Sequence, residues 1–372
     1  MAAKCALCGK ESDLISANLG FCVDCIRSRF PDVRDELMEL HALTRKRFGL
    51  PPSPPRDAQG VRCRICVNEC QIGEGQRGFC GIRTNKGEKL VHLAGTSQRG
   101  IVHPYYDALP TNCVADWVCP AGGGSGYPEF SYSQGPEYGY KNLAVFYGAC
   151  SFNCLFCQNW HYRQQIDRGK RMSARELADW VDRRTACICY FGGDPTPQLP
   201  HAIRASRLAL EKAGDRVLRI CWETNGTMSP VMLRRVAEIS MKSGGCIKFD
   251  LKAYSEELNI ALTGITNTRT LENFKTLAQM RDQRPDPPFL IASTLLVPGY
   301  LDAKEVGNIA GFIASCGTDI PYSLLAFYPQ FYMGDLPTTS RSHALECLEA
   351  ARRSGLTNVH IGNLHLLSEE RK

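Results

Sequence analysis

The chain has 372 residues, 44% hydrophobic and 22% charged, which suits one large globular domain with a smaller appendage. Its 44 basic and 38 acidic residues leave a net charge of +6, spread along the chain, which argues against a nucleic-acid footprint. The longest apolar runs, such as 289–298, fall short of a membrane span, and the first ten residues lack a signal-peptide core, so the sequence predicts a cytoplasmic protein.

Nineteen cysteines dominate the chemistry. Most sit at two- and three-residue spacings that let neighbouring thiolates reach one metal, so they predict metal sites rather than a disulfide framework. Residues 1–50 carry Cys5-x2-Cys8 and Cys22-x2-Cys25, separated by thirteen residues. Two such knuckles suit a tetrahedral structural zinc, a ribbon that stabilises a segment too short for its own core, with an iron centre or free thiols as the alternatives. A helix is predicted over 32–48, with Leu37, Leu40, Leu43 and Phe48 on one side. Pro51-Pro52-Ser53-Pro54-Pro55 stops it and reads as a stiff linker.

Residues 51–139 form a second extension. Cys63, Cys66, Cys70 and Cys80 can saturate an auxiliary 4Fe–4S cluster that relays electrons or a second zinc, or stay a partly free set, and spacing does not separate iron from zinc. Cys113 and Cys119 either line the same neighbourhood or are buried thiols. The glycine-rich stretch 121–126 reads as loops wrapped against the main domain.

From Tyr140 the pattern becomes periodic. β-rich runs at 143–147, 187–191, 217–222, 247–251, 290–297 and 323–327 alternate with helical stretches at 173–184, 202–213, 230–243, 270–279, 303–315 and 343–353. Such alternation predicts an α/β domain over 140–372 with a parallel sheet and crossover helices, six or so units forming an open or closed barrel. Functional groups then belong at the C-terminal ends of the strands. Cys187, Cys189, Cys221, Cys246, Cys316 and Cys347 read as small hydrophobes, with Cys189 and Cys221 able to face the barrel.

After the first of these strands comes Cys150-Ser-Phe-Asn-Cys154-Leu-Phe-Cys157. Three thiolates in so short a loop can hold three irons of a 4Fe–4S cluster, leaving the fourth iron open to the amino and carboxylate groups of S-adenosylmethionine. An electron from such a cluster breaks the S–C5′ bond and frees a 5′-deoxyadenosyl radical, chemistry that belongs to the cofactor and that the protein positions.

This Cys-x3-Cys-x2-Cys motif, with Phe156 before its last cysteine, resembles the radical S-adenosylmethionine superfamily. Gly192-Gly193-Asp194-Pro195 resembles the family's glycine-glycine-acid-proline motif, whose backbone in relatives receives the methionyl amino group. Trp222-Glu223-Thr224-Asn225-Gly226, Lys248-Phe249-Asp250-Leu251-Lys252 and Leu296-Val297-Pro298-Gly299 look like the matching segments of pyruvate formate-lyase activating enzymes. Cys157-Gln-Asn-Trp160, Phe327-Tyr-Pro329, Leu336-Pro-Thr338, Val359-His-Ile-Gly-Asn363 and the upstream block 63–85 are similar to the AmmeMemoRadiSam-type subgroup. The likeness covers roughly 61–365 and breaks between 114 and 140, where an unfamiliar insert bears on substrate identity.

The resemblance implies a partial (β/α)6 radical-SAM barrel with a cysteine-rich N-terminal extension. It also implies an anaerobic oxidoreductase that abstracts hydrogen from a substrate and is fed by a reductant such as flavodoxin or ferredoxin. Gly192, Gly193, Asp194, Pro195 and Asn225 match cofactor-binding segments, and Phe156 would pack on adenine. Glu223, Asp250 and Lys252 either point at the ribose or substrate, or form a buried salt bridge in which Lys252 pairs with Asp250 or Glu223. A narrower reading is an activase that makes a glycyl radical on a partner protein. A reading of another class is a non-catalytic zinc or iron–sulfur scaffold. Tyr147 and Trp160 flank the main cysteine loop as core or site residues, and His103, His161, His201 and His360 lack ligand spacing.

Overall fold

A nine-stranded sheet organises the molecule, and the computed structural model describes residues 2–369. Its strands are β1 (Gly100–Ala108), β2 (Lys141–Tyr147), β3 (Arg171–Met172), β4 (Thr185–Gly192) and β5 (Arg219–Thr224). They continue with β6 (Ile247–Asp250), β7 (Leu290–Leu296), β8 (Tyr322–Ala326) and β9 (Val359–Gly362). The spatial order is β9-β8-β7-β6-β5-β4-β2-β1-β3. From β2 through β9 along this order every neighbouring pair is parallel, whereas β1 runs antiparallel to both β2 and β3.

Helices follow as the alternation predicts. They are α1 (Val23–Ser28), α2 (Phe30–Lys46), α3 (Tyr162–Arg168), α4 (Ala174–Asp179) and α5 (Leu199–Ala213). The set closes with α6 (Pro230–Ser243), α7 (Glu256–Thr263), α8 (Thr268–Ala278), α9 (Ala303–Cys316) and α10 (Arg341–Arg353). α6 shows the local rules plainly. Pro230 occupies its first turn, where a missing N–H is harmless, and Gly244 ends it at φ 73°. α4 is shorter than expected. Ser173 and Glu176 form a capping box, but the helix stops at Asp179 instead of reaching 184. The side chain of Asp182 instead accepts from Arg184 N at 2.9 Å and from the Thr185 hydroxyl at 3.0 Å, turning the chain into β4.

The second extension is not only loops. β1 lies inside the main sheet and pairs with β2 from Val102–Tyr147 to Ala108–Lys141. Pro120–Gly123 forms one helical turn within the glycine-rich stretch. A Cβ on Gly122 would lie 1.9 Å from the carbonyl oxygen of Asp116, so only glycine allows this close approach.

The insert between β1 and β2 crosses the concave side of the sheet. Near its C-terminal end Glu137 pairs with Arg219 of β5 at 2.9 Å, both fully buried. Nearer its start, Trp117 donates to Ser323 Oγ of β8 at 3.0 Å and stacks on His360 of β9, with ring centroids 5.0 Å apart. One segment touching β5, β8 and β9 requires the sheet to curl into a partial barrel. Among the described residues, no helix is long and apolar enough to cross a membrane.

Candidate active site and metal centres

The loop after β2 carries Cys150, Cys154 and Cys157 to the C-terminal edge of the parallel strands. There it opens on a cavity of about 610 Å³. The same cavity takes Gly192 and Gly193 from the end of β4, Glu223 and Asn225 from β5, and Asp250 and Lys252 from β6. Phe156 lines it too, 3% exposed, with Lys252 Nζ 5.9 Å from its ring centroid. The predicted strand-end groups therefore converge, with two exceptions treated below.

Side chains that the motif leaves unnamed hold the loop rigid. Ser151 donates to Asp194 at 2.7 Å, and its carbonyl accepts from Asn68 Nδ2 at 2.8 Å. Asn153 is fully buried. Its Nδ2 donates to Thr44 Oγ1 at 2.8 Å, and its Oδ1 accepts from Arg163 at 3.0 Å. Both N-terminal extensions thus pin the loop, through Asn68 and through Thr44 of α2. Asn225 Nδ2 and the Phe152 N–H each donate to Cys150 Sγ at 3.4 Å. Burial pushes the Cys150 thiol well above its ordinary range and Cys154 up to about 12, the latter opposed by the Lys252 cation. Thiols so placed stay neutral unless a metal takes the proton's place.

Asp194 and Pro195 do not reach the cavity. Asp194 is 2% exposed and accepts from Ser151, Thr224 and Thr196 at 2.7, 2.8 and 3.1 Å. Burial raises its carboxyl despite these bonds. It ties the cysteine loop to the ends of β4 and β5. Gly192 and Gly193 are required for backbone reasons as well. Gly192 has φ 111°, and a Cβ on Gly193 would lie 2.2 Å from Ala149 O.

The expected salt bridges are redistributed. Lys252 pairs with Asp250 at 2.9 Å, whereas Glu223 pairs with Lys248 at 2.7 Å. Lys248, 2% exposed, also donates to Cys113 Sγ at 3.0 Å and to Cys189 Sγ at 3.1 Å. Burial pulls its ammonium down, but Cys113, Cys189 and Glu223 outweigh that and hold it charged. Cys113 and Cys119 therefore lie in the barrel interior rather than beside the Cys63 set, and Cys187, Cys221 and Cys246 line the same small chamber. Lys248 was legible in hindsight. Residues 248, 250 and 252 alternate with Phe249 and Leu251, so the charged set shares one face. His360 lines the cavity, whereas His201 is a buried structural group bonded to Tyr147 and Met172.

The N-terminal set is geometrically distinct. Cys5 and Cys25 sulfurs are 3.8 Å apart, as are those of Cys8 and Cys22. Four sulfurs bound tetrahedrally at about 2.3 Å from one ion stand about 3.8 Å from each other. Among the described residues this is the one group of three or more such ligands whose donor atoms all lie within 4.8 Å, and it could hold a metal ion. The sulfurs of Cys150, Cys154 and Cys157 do not all lie within 4.8 Å of one another.

Residues 144–303 match the Radical SAM superfamily model. An uncharacterized protein of Methanocaldococcus jannaschii is 26% identical over 83% of this chain and 83% of its own length. The isethionate sulfite-lyase activating enzyme of Desulfovibrio desulfuricans is 31% identical over 37% of this chain, and the match spans 40% of that enzyme. Among solved structures, a radical SAM methyltransferase from Sphaerobacter thermophilus superposes with a TM-score of 0.45 at 15% identity, covering 63% of this chain and 67% of that one. The three-cysteine loop at the strand ends thus falls within residues 144–303, the stretch that is similar to the Radical SAM superfamily.

Proposed function

We propose that the chain reductively cleaves S-adenosylmethionine at a 4Fe–4S cluster held by Cys150, Cys154 and Cys157, and abstracts hydrogen from a substrate in the adjoining cavity. The observation that carries this reading is the convergence of three buried or half-buried thiols with Gly192, Gly193, Asn225, Asp250 and Lys252 around one cavity of about 610 Å³. The cluster with bound S-adenosylmethionine supplies the 5′-deoxyadenosyl radical; everything else is the protein's work. Asn225 and the Phe152 N–H stabilise the Cys150 thiolate. Lys252 offers a cation to a carboxylate, and Asp250 offers an acceptor to an amino or ribose hydroxyl group. Phe156 gives an apolar wall for a base, and Asp194 holds the loop in register. Cys5, Cys8, Cys22 and Cys25 bind a structural zinc, a reading supported by their tetrahedral spacing.

Two substrate classes follow from different observations. The similarity to the Desulfovibrio activating enzyme supports an activase acting on a glycine of a partner protein. The insert across the concave face, from Arg219 to His360, supports a smaller molecule or a peptide segment. A flavodoxin- or ferredoxin-type reductant serves either.

The test is anaerobic reconstitution with iron and sulfide, reduction with dithionite, addition of S-adenosylmethionine, and measurement of 5′-deoxyadenosine. Product that disappears in Cys154→Ala is expected. No product, together with zinc at the Cys150 loop, would overturn the reading and favour a metal scaffold. Formation of a glycyl radical on a co-incubated partner, read by electron paramagnetic resonance, separates the activase from the small-substrate enzyme.

A further inference from the structure

Cys63, Cys66, Cys70 and Cys80 converge with Arg83 on one small enclosed chamber. Three are buried and Cys80 is half-buried. No three of their sulfurs lie within 4.8 Å of one another, unlike the Cys5 set in the same molecule. A single zinc would draw them to about 3.8 Å. Ligands that radiate from separate corners of a cube stand farther apart, by the width of the cluster. The sulfurs of Cys150, Cys154 and Cys157 likewise do not all lie within 4.8 Å of one another.

Arg83 supplies an independent argument. It is 1% exposed, and among the described residues no carboxylate lies within 4.0 Å of it. Its Nη2 donates to Pro197 O at 2.5 Å and its Nη1 to Cys80 Sγ at 3.4 Å, while Nε has no partner. A buried guanidinium without a counter-anion is strongly unfavourable. Four thiolates around a metal core form a net dianion at the right place. The Phe79 N–H, donating to Cys70 Sγ at 3.4 Å, adds the kind of hydrogen bond that tunes cluster sulfurs.

We propose that Cys63, Cys66, Cys70 and Cys80 bind a second, fully cysteine-ligated 4Fe–4S cluster, with Arg83 as its buried counter-cation. The site abuts the Cys150 loop. Asn68, between Cys66 and Cys70, donates to Ser151 O at 2.8 Å, and Val67 N donates to Thr227 O at 2.9 Å. The inference concerns this chamber alone and does not depend on the Cys150 loop being filled.

The experiment removes the other loop. A Cys150→Ala/Cys154→Ala/Cys157→Ala variant, isolated anaerobically with both iron and zinc available and then reconstituted, should carry about four iron and about four sulfide per chain. Its dithionite-reduced form should give a half-integer-spin resonance of a single cluster. Adding Cys66→Ser should abolish both. Two zinc per chain and no iron in the triple variant would overturn the proposal, as would iron that survives Cys66→Ser. Should the triple variant fail to fold, Cys63→Ala/Cys66→Ala in the otherwise native chain should lose about half the iron; unchanged iron would overturn the proposal equally. A native chain with no more iron than the triple variant defeats the reading of the Cys150 loop and leaves this one standing.

Discussion

Lys248 directs its ammonium at one carboxylate and two thiols from three different segments: Glu223 of β5, Cys189 of β4 and Cys113 of the insert. Removing it leaves Glu223, whose side chain is 27% exposed, without its cation. Lys248→Met should therefore cost about 2 kcal/mol, below the range for fully buried pairs because water reaches Glu223. Urea unfolding should show that loss, with iron at the Cys150 loop unchanged. His201 makes a second case. Its ring accepts from Tyr147 OH at Nδ1 and donates to Met172 O at Nε2, separations of 2.8 and 2.9 Å that suit a neutral ring. Burial pulls its pKa down to about 4. The unfolded chain, with an ordinary value near 6.5, binds the extra proton first, so stability falls as pH drops from about 6.5 towards 4. The effect reaches about 3 kcal/mol at the acid end. His201→Gln should flatten this part of the pH dependence of Tm relative to the native chain; an unchanged slope would count against it.

At the scale of strands and turns, Gly193 is the point where β4 passes over the cysteine loop. Gly193→Ala must push Ala149 away and with it the start of that loop. The variant should keep its far-ultraviolet dichroism and hold less than half the native iron at the Cys150 loop, measured in a background lacking Cys66. The parallel strands were legible in the sequence because each is short, apolar and followed by a helical period. β1 was not, for a local reason. Pro104 sits within it and reads as a breaker. Only Gly100 and Ile101 pair with β3, so Pro104 lies where the strand has a single neighbour and its missing N–H is tolerated. The three-cysteine loop and the strand-end residues were legible for the same reason as the strands, since their spacing is local. The Lys248 chamber was not, because Cys113 arrives from 135 residues away along the chain. Asp194 lies in the expected motif but turns inward, a choice made by Ser151 and Thr224 rather than by its neighbours in sequence.

Taken whole, the molecule is a curled sheet braced by two cysteine-rich segments. The first is fastened by Arg27, which bonds both oxygens of Asp302 at 2.8 and 2.9 Å, and by Ser16, which donates to Asp335 at 3.0 Å. Cys8→Ser should remove about one zinc per chain and open residues 1–30 to protease, while iron at the other cysteine sets stays at the native level. Loss of iron alongside the zinc would mean that the first segment is needed to build the barrel.

That fastening also orders events on the ribosome. Ser16 and its partner Asp335 are 319 residues apart, so the first segment emerges long before its docking surface exists. Its four thiols wait through nearly the whole of synthesis, and contacts of such long range are slow to close. Were the four thiols to take a metal before docking, they would be sequestered meanwhile from the cysteines that emerge after them. Early metallation would then act as a safeguard during translation, with docking against α9 the last step of maturation.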